Sequence, residues 1–257
     1  MRTIPQLKPT KWLNRERLSD WLMSTNLVEM LLKEYVHVEV IKRLPVLIKL
    51  LAGQDKLEIG ILDLLWETAD GQHDSIVRAI YACIIDISFH LSDEQKDYIF
   101  NKLVNAPEWD EKLINTLKEF SMSSTITTDN TYALTYFYDH VVEHSNPANH
   151  EHELLAICEI LKSPNFKKSR TEYITKAIDN IKEDKAVPQS LTMLTALFES
   201  FYAGNDYRAS YSSNNRSSVL GKLNDENSLL EMVIANTVNL VEEARNNGLN
   251  AEHPHET

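Results

Sequence analysis

Glycine and proline are scarce in this chain, six and eight in 257 residues. That scarcity excludes most all-β architectures, because sandwiches and barrels need a turn roughly every eight to twelve residues. Cysteine is scarcer still. The two thiols, Cys83 and Cys158, cannot supply a disulfide framework, and both fall on apolar stripes of predicted helices, where buried thiols usually sit. No apolar run reaches membrane-spanning length, and Met1-Arg2-Thr3-Ile4-Pro5-Gln6 leads into polar sequence rather than the apolar core of a signal peptide. These absences predict a cytoplasmic protein with no membrane contact. Without a secretory signal, the glycosylation triplet Asn215-Arg216-Ser217 carries little weight.

Basic charge is also short: 26 Lys and Arg stand against 38 Asp and Glu, a net charge of −12. Nucleic-acid affinity comes from clustered cations releasing counterions, so this balance argues against a nucleic-acid partner. The deficit is uneven. The first fifty residues hold nine Lys or Arg and five Asp or Glu, so the acidity lies in the rest of the chain. An acidic body suits a solvated face, with a basic protein surface as the alternative.

What the chain has throughout is apolar residues at helical spacing. Leu62, Leu65, Trp66 and Ala69 fall at i, i+3, i+4 and i+7, Asp70-Gly71 breaks the helix, and Asp74 is placed to cap the next. Ile76, Ile80, Cys83, Ile84 and Ile87 form the second stripe. Ser92 with Gln95 three residues on is a capping box. About a dozen helical segments follow from the same reasoning. The first spans about residues 12–24, with Trp12, Leu13, Leu18, Trp21 and Leu22 on one side; Asn26 caps the second; a third spans residues 36–51, with Pro45 predicting a kink or a split. Later stripes include Leu113, Ile114, Leu117 and Phe120; Leu154, Leu155, Ile157, Cys158 and Leu161; Tyr173, Ile174, Ala177, Ile178 and Ile181; and Leu191, Leu194, Leu197 and Phe198 after Pro188. Trp66 is expected in the core between repeats.

Successive short-looped helices need neighbours on each face, which predicts an all-α fold: an α-solenoid of stacked antiparallel helix pairs, armadillo- or HEAT-like. No strict sequence repeat is visible. The predicted organisation is a helical array over 1–202, a flexible polar loop over 203–218, a closing helix of the same array over 219–245, and a disordered tail over 246–257.

Candidate chemistry is thin. Cys83 and Cys158 sit in apolar surroundings that raise a thiol pKa, so neither suits a nucleophile. His144, His150, Glu151, His152 and Glu153 have metal-ligand residue types, but His150 and His152 point to different sides of a helix and no cysteine joins them. His73 suits an inter-helix turn. Phosphate-loop, dinucleotide and zincin patterns are absent. No catalytic, cofactor-binding or metal residue is therefore assigned, and no cofactor is predicted.

Four stretches carry a resemblance: Lys11-Trp12-Leu13-Asn14-Arg15-Glu16-Arg17-Leu18 running into Trp21-Leu22; Leu62-Asp63-Leu64-Leu65-Trp66 followed by Gly71-Gln72-His73-Asp74-Ser75-Ile76-Val77; Leu91-Ser92-Asp93-Glu94-Gln95 with Phe100 after it; and the weaker stretch over residues 223–245. Their order resembles the non-catalytic armadillo-like region that precedes the protease domain in the very large fat-facets-type ubiquitin-specific proteases. The likeness is diffuse over residues 121–165. In that family a separate domain, with a cysteine box and a histidine box, cleaves ubiquitin, and this chain has no Gly-rich stretch around either cysteine. The resemblance thus implies an interaction scaffold, with protein or peptide partners that include those of the ubiquitin system. A thiol-dependent ubiquitin hydrolase and an unrelated armadillo-like adaptor are the alternatives.

Overall fold

The computed structural model describes residues 14–124, 131–143, 150–163 and 166–202, with isolated positions between 221 and 245. Among the described residues there is no strand, and no helix is long and apolar enough to cross a membrane. The chain divides into two compact units, Met1–Ala133 and Leu134–Thr257.

In the first unit the helices are α1 (Arg15–Ser24), α2 (Leu27–Glu34), α3 (Val38–Ile41), α4 (Leu44–Ala52), α5 (Ile59–Glu67), α6 (Asp74–Ile87), α7 (Asp93–Val104) and α8 (Glu111–Ser124). Local chemistry sets most of their ends. The Asn14 side chain accepts the Arg17 N–H at 2.8 Å and starts α1. The segment predicted as one helix over residues 36–51 is split, and Pro45 sits in the first turn of α4, where a missing N–H costs nothing. Asn26 precedes α2 in the left-handed region (φ 48°), and its side chain makes no capping bond; asparagine suits the site because it tolerates that conformation. The N-cap of α6 is His73 rather than Asp74: its Nδ1 accepts the Ser75 N–H at 3.3 Å, which frees the Asp74 carboxylate for other partners. Gly71 makes the tight turn before it with φ 66°, a conformation that penalises any Cβ.

Apolar burial drives the stacking. Ile48, Leu51, Leu62, Leu65, Ile80, Ile84, Ile87, Ile99, Leu103 and Leu117 are fully buried, each worth about 1.5–3 kcal/mol relative to exposure. Helices α2, α5 and α7 pack in succession along one row, and α4, α6 and α8 along another. Polar ties fix the register between successive pairs. Lys56 meets Asp20 at 2.6 Å, Lys49 meets Asp86 at 2.6 Å, and Lys112 meets Asp74 at 2.6 Å. Tyr98 donates to Asp63. Gln95 does two jobs: its Oε1 accepts the Ser92 N–H in the capping box, while its Nε2 donates to the Leu57 carbonyl at 2.7 Å. All these inter-repeat partners are 35–38 residues apart. A structural repeat is therefore written in the partners' spacing although the residue types do not repeat.

The second unit holds most of α9 (Tyr132–Glu143), then α10 (His150–Lys162), α11 (Lys167–Lys182) and α12 (Val187–Tyr202). Phe137, Ile157, Tyr173, Ala177 and Leu197 form its core. The Tyr173 ring meets Tyr138 edge-on at 5.1 Å and its hydroxyl lies 3.1 Å from Thr135 Oγ1. Asn180 Nδ2 donates to the Tyr138 hydroxyl at 2.8 Å.

Several apolar residues do not face where the period places them. Trp66 is only partly buried: the core side of α5 is taken by Leu62 and Leu65, and the indole stacks on Tyr81 at 5.9 Å. Trp21 is 51% exposed, because α1 turns Ser19 and Leu22 inward instead. Leu155 is exposed while Glu153, on the same helix, is fully buried. Described positions 230–232, 234–235, 237–239 and 241–242 are helical, but Leu230, Ile234, Val238 and Val241 form an outward stripe. Periodicity specifies that a face is apolar, not what covers it. Trp12, Leu13, the loop expected over 203–218 and the tail over 246–257 lie outside the described residues.

Two glycine substitutions in neighbouring segments should have opposite signs. Gly71→Ala forces a Cβ into φ 66° and should lower unfolding stability by about 1–2 kcal/mol. Gly60→Ala, in the first turn of α5 with open space around the new methyl, should be neutral or raise stability by up to about 1 kcal/mol. Urea unfolding of both variants, followed by circular dichroism, checks the pair.

Candidate functional site

Helix α6 presents two faces. Ile80, Cys83, Ile84 and Ile87 point into the core, whereas Arg78, Tyr81, Ala82 and Ile85 recur at helical spacing on the other side and form the floor of a groove against α8. Glu111, Asn115 and Glu119, at i, i+4 and i+8, make the opposite wall with Thr116, and the cavity measures about 320 Å³. A second cavity of about 370 Å³ shares Ala82 and Ile85 and extends to Asp86, Ser88, Phe89 and Ser123. Phe89, half exposed, closes that end. The small side chain of Ala82 is common to both cavities, and Trp66 supports the floor by stacking behind Tyr81.

Asp74 fixes one end of the groove. One carboxylate oxygen accepts from Lys112 Nζ at 2.6 Å and the other from Arg78 Nε at 2.7 Å. These hydrogen bonds, that from Lys112 first, pull the Asp74 pKa down to about 2. The same bonds raise the pKa values of Lys112 and Arg78. Lys112 also stands 3.5 Å from Asp110, whose own carboxylate accepts the Leu113 N–H at 2.9 Å near the start of α8. At the other end Lys49 holds Asp86 at 2.6 Å. Lys118 lies 3.4 Å from Glu119. Burial raises the Tyr81 pKa, and the charges of Asp110 and Glu108 add to that rise against Lys112. Six carboxylates (Asp74, Asp86, Glu108, Asp110, Glu111 and Glu119) thus surround the groove, and the four cations near it, Lys49, Arg78, Lys112 and Lys118, are each engaged by one of them.

The residues singled out from sequence lie elsewhere. Cys83 and Cys158 are buried, and burial pushes their pKa values up to about 12 and about 11, so both remain thiols at neutral pH. Within the second unit, His150 comes beside His140 of α9 with ring centroids 6.5 Å apart. His140 Nδ1 lies 2.6 Å from the buried Glu153 carboxylate, and Tyr136 stacks on the His140 ring at 6.0 Å. Among the described residues no three His, Cys, Asp or Glu side chains converge as metal ligands do. His144 lies outside the described residues. Sequence reasoning missed His140, which sits on another helix, and it missed the groove, whose residues look like ordinary solvated positions. The one available signal was Tyr81, small Ala82 and Ile85 lying off the core stripe of α6.

Residues 2–256 match the family model described as the UBP24/USP9X/USP9Y ARM repeat. The ubiquitin carboxyl-terminal hydrolase 9X of Mus musculus is 24% identical over 92 residues, 35% of this chain and 4% of that protein. The probable ubiquitin carboxyl-terminal hydrolase FAF of Drosophila melanogaster is 26% identical over 90 residues, 35% of this chain and 3% of that protein. The human ubiquitin carboxyl-terminal hydrolase 34 is 35% identical over 60 residues, 23% of this chain and 2% of that protein. The aligned stretches span a small fraction of these relatives' length.

Two outcomes follow from the thiols and from Asp74. In the folded protein both cysteines should react slowly with a chromogenic disulfide reagent at neutral pH, and both should react at once in denaturant; rapid labelling of the native chain would contradict their burial. Because the folded pKa of Asp74 is depressed, the stability it contributes is present above its ordinary value near 3.8 and is lost as pH falls towards about 2. Asp74→Asn should therefore lower the melting temperature at pH 6, with the difference from the parent protein closing by pH 2.

Proposed function

The chain belongs to the UBP24/USP9X/USP9Y ARM repeat family, and from that membership we propose that it is a non-catalytic interaction scaffold of a large ubiquitin-specific protease. On this reading the ubiquitin hydrolase activity for which the relatives are named resides outside these helices. The chain presents partner proteins or peptides of the ubiquitin system in the cytoplasm. The observation that carries the proposal is the open groove between α6 and α8: an apolar floor at exposed Ala82 and half-buried Tyr81 and Ile85 is left partly uncovered, opposite the face of α6 that buries Ala79, Ile80, Cys83, Ile84 and Ile87. The groove holds no nucleophile with its base, since the nearest thiol, Cys83, points to the opposite face of α6 and is buried. Such a surface can bind, and its walls offer carboxylates, an amide and hydroxyls for orientation.

Site-specific photo-crosslinking tests the proposal. A benzophenone amino acid in place of the exposed wall residue Glu119, which leaves the floor at Ala82 clear, should give discrete protein adducts in cell extract, suppressed by excess unlabelled parent chain but not by excess Ala82→Arg chain. The same label in place of the exposed Glu183 in the second unit is the control. Identical adducts at both positions, or none at Glu119, would refute a scaffold role for this groove. A ubiquitin-based active-site probe should leave the chain unmodified.

A further inference from the structure

We propose that the α6–α8 groove takes an extended segment of a partner protein that carries a basic residue at one end and an apolar residue about five positions away. The inference rests on the scaffold reading above and names the chemistry of the occupant.

Charge sets the first requirement. Six carboxylates surround the groove against four cations, and every one of those cations already lies 2.6–3.4 Å from a carboxylate. The charges left open are negative. Among the described residues Glu108 and Glu111 have no ion-pair partner, and both stand where α8 begins, beside Asp110. A lysine or arginine of the partner meets carboxylates there without displacing an existing pair, whereas an acidic residue meets only cations that already face a carboxylate.

Geometry sets the second. The groove runs along α6 from Arg78 to Phe89, about 16 Å at the rise of a helix, and an extended chain covers that length in about five residues. At the far end the half-exposed Phe89 ring, with Ile85 and Ala82, offers the apolar contact. Helices α6 and α8 pack directly on each other, and packed helices stand about 8–10 Å apart, less than the roughly 10–12 Å diameter of a helix with its side chains; a strand-like segment, the slimmer of the two, is the better match. Midway, the exposed Asn115 carboxamide is free to donate to a backbone carbonyl and accept from a backbone N–H of such a segment.

The test is a selection from a display library of random eight-residue peptides on the purified full chain, followed by fluorescence anisotropy with the selected peptides. Peptides with a basic residue and, about five positions on, an apolar one should be enriched. Their binding should fall about ten-fold with Glu111→Lys, the scale of one lost charge-assisted hydrogen bond, and should weaken with added salt. Glu111 is an exposed wall residue, so this variant keeps its fold; melting curves verify that for it and for Ala82→Arg, which should abolish binding by filling the groove. Enriched peptides that are neutral or acidic, yet lost with Ala82→Arg, would overturn the proposed chemistry and leave the scaffold reading intact. Enriched peptides indifferent to Ala82→Arg, or no enrichment at all, would overturn the groove as a binding site and the scaffold reading with it.

Discussion

A helix pair such as α5 and α6 carries more apolar surface than two helices can hide in each other. Leu62 and Leu65 need one neighbour, Ile80 and Ile84 another, and burial is complete only when pairs stack on both sides. That requirement generates the two rows of helices in the first unit. It also explains why the ties between pairs are polar and peripheral: once the apolar faces set the stack, Asp20, Asp63, Asp74 and Asp86 select the register at its edges, where a charge stays near water.

The groove is a by-product of the same packing. Helix α6 has aliphatic residues enough to fill one face, and its other face combines Tyr81, small Ala82 and Ile85 between charged neighbours. With Lys112 and Arg78 drawn onto Asp74 at one end and Lys49 onto Asp86 at the other, Tyr81, Ala82 and Ile85 are left as the apolar stretch between them. A site made this way has walls of fixed helices rather than loops. On the proposed reading, that suits recognition of a partner segment that orders itself on binding better than closure around a small molecule.

The second unit handles polarity differently. Glu153 is fully buried and faces His140, while Asn180 bonds the Tyr138 hydroxyl and Thr135 the Tyr173 hydroxyl beside the edge-on contact of the two rings. Burying such groups is tolerable because they find partners across helices, and their directional bonds restrict how α9 can meet α10 and α11. Lys176 adds its ammonium over the Tyr173 ring at 4.4 Å, covering an aromatic face with an alkyl stem and a charge.

Much of the fold was legible in the sequence because helix formation is local. The 3.6-residue period identified the buried faces of α6, α8 and α11, the Ser92–Gln95 capping box placed the start of α7, and Pro45 marked the split before α4. The armadillo-like class followed from helix order and loop length. What the sequence could not supply was which side chain of one helix meets which side chain of another. Lys112 finds Asp74, Gln95 finds Leu57, and His140 finds Glu153 only after stacking sets which turn of one helix lies against which turn of the next. For the same reason Trp66 was expected inside and is found leaning on Tyr81, and Asp74 was expected to cap a helix but instead anchors two cations. The apolar period is a property of one helix, read from a few residues; a groove is a property of two, and depends on a register set by contacts 35–38 residues apart.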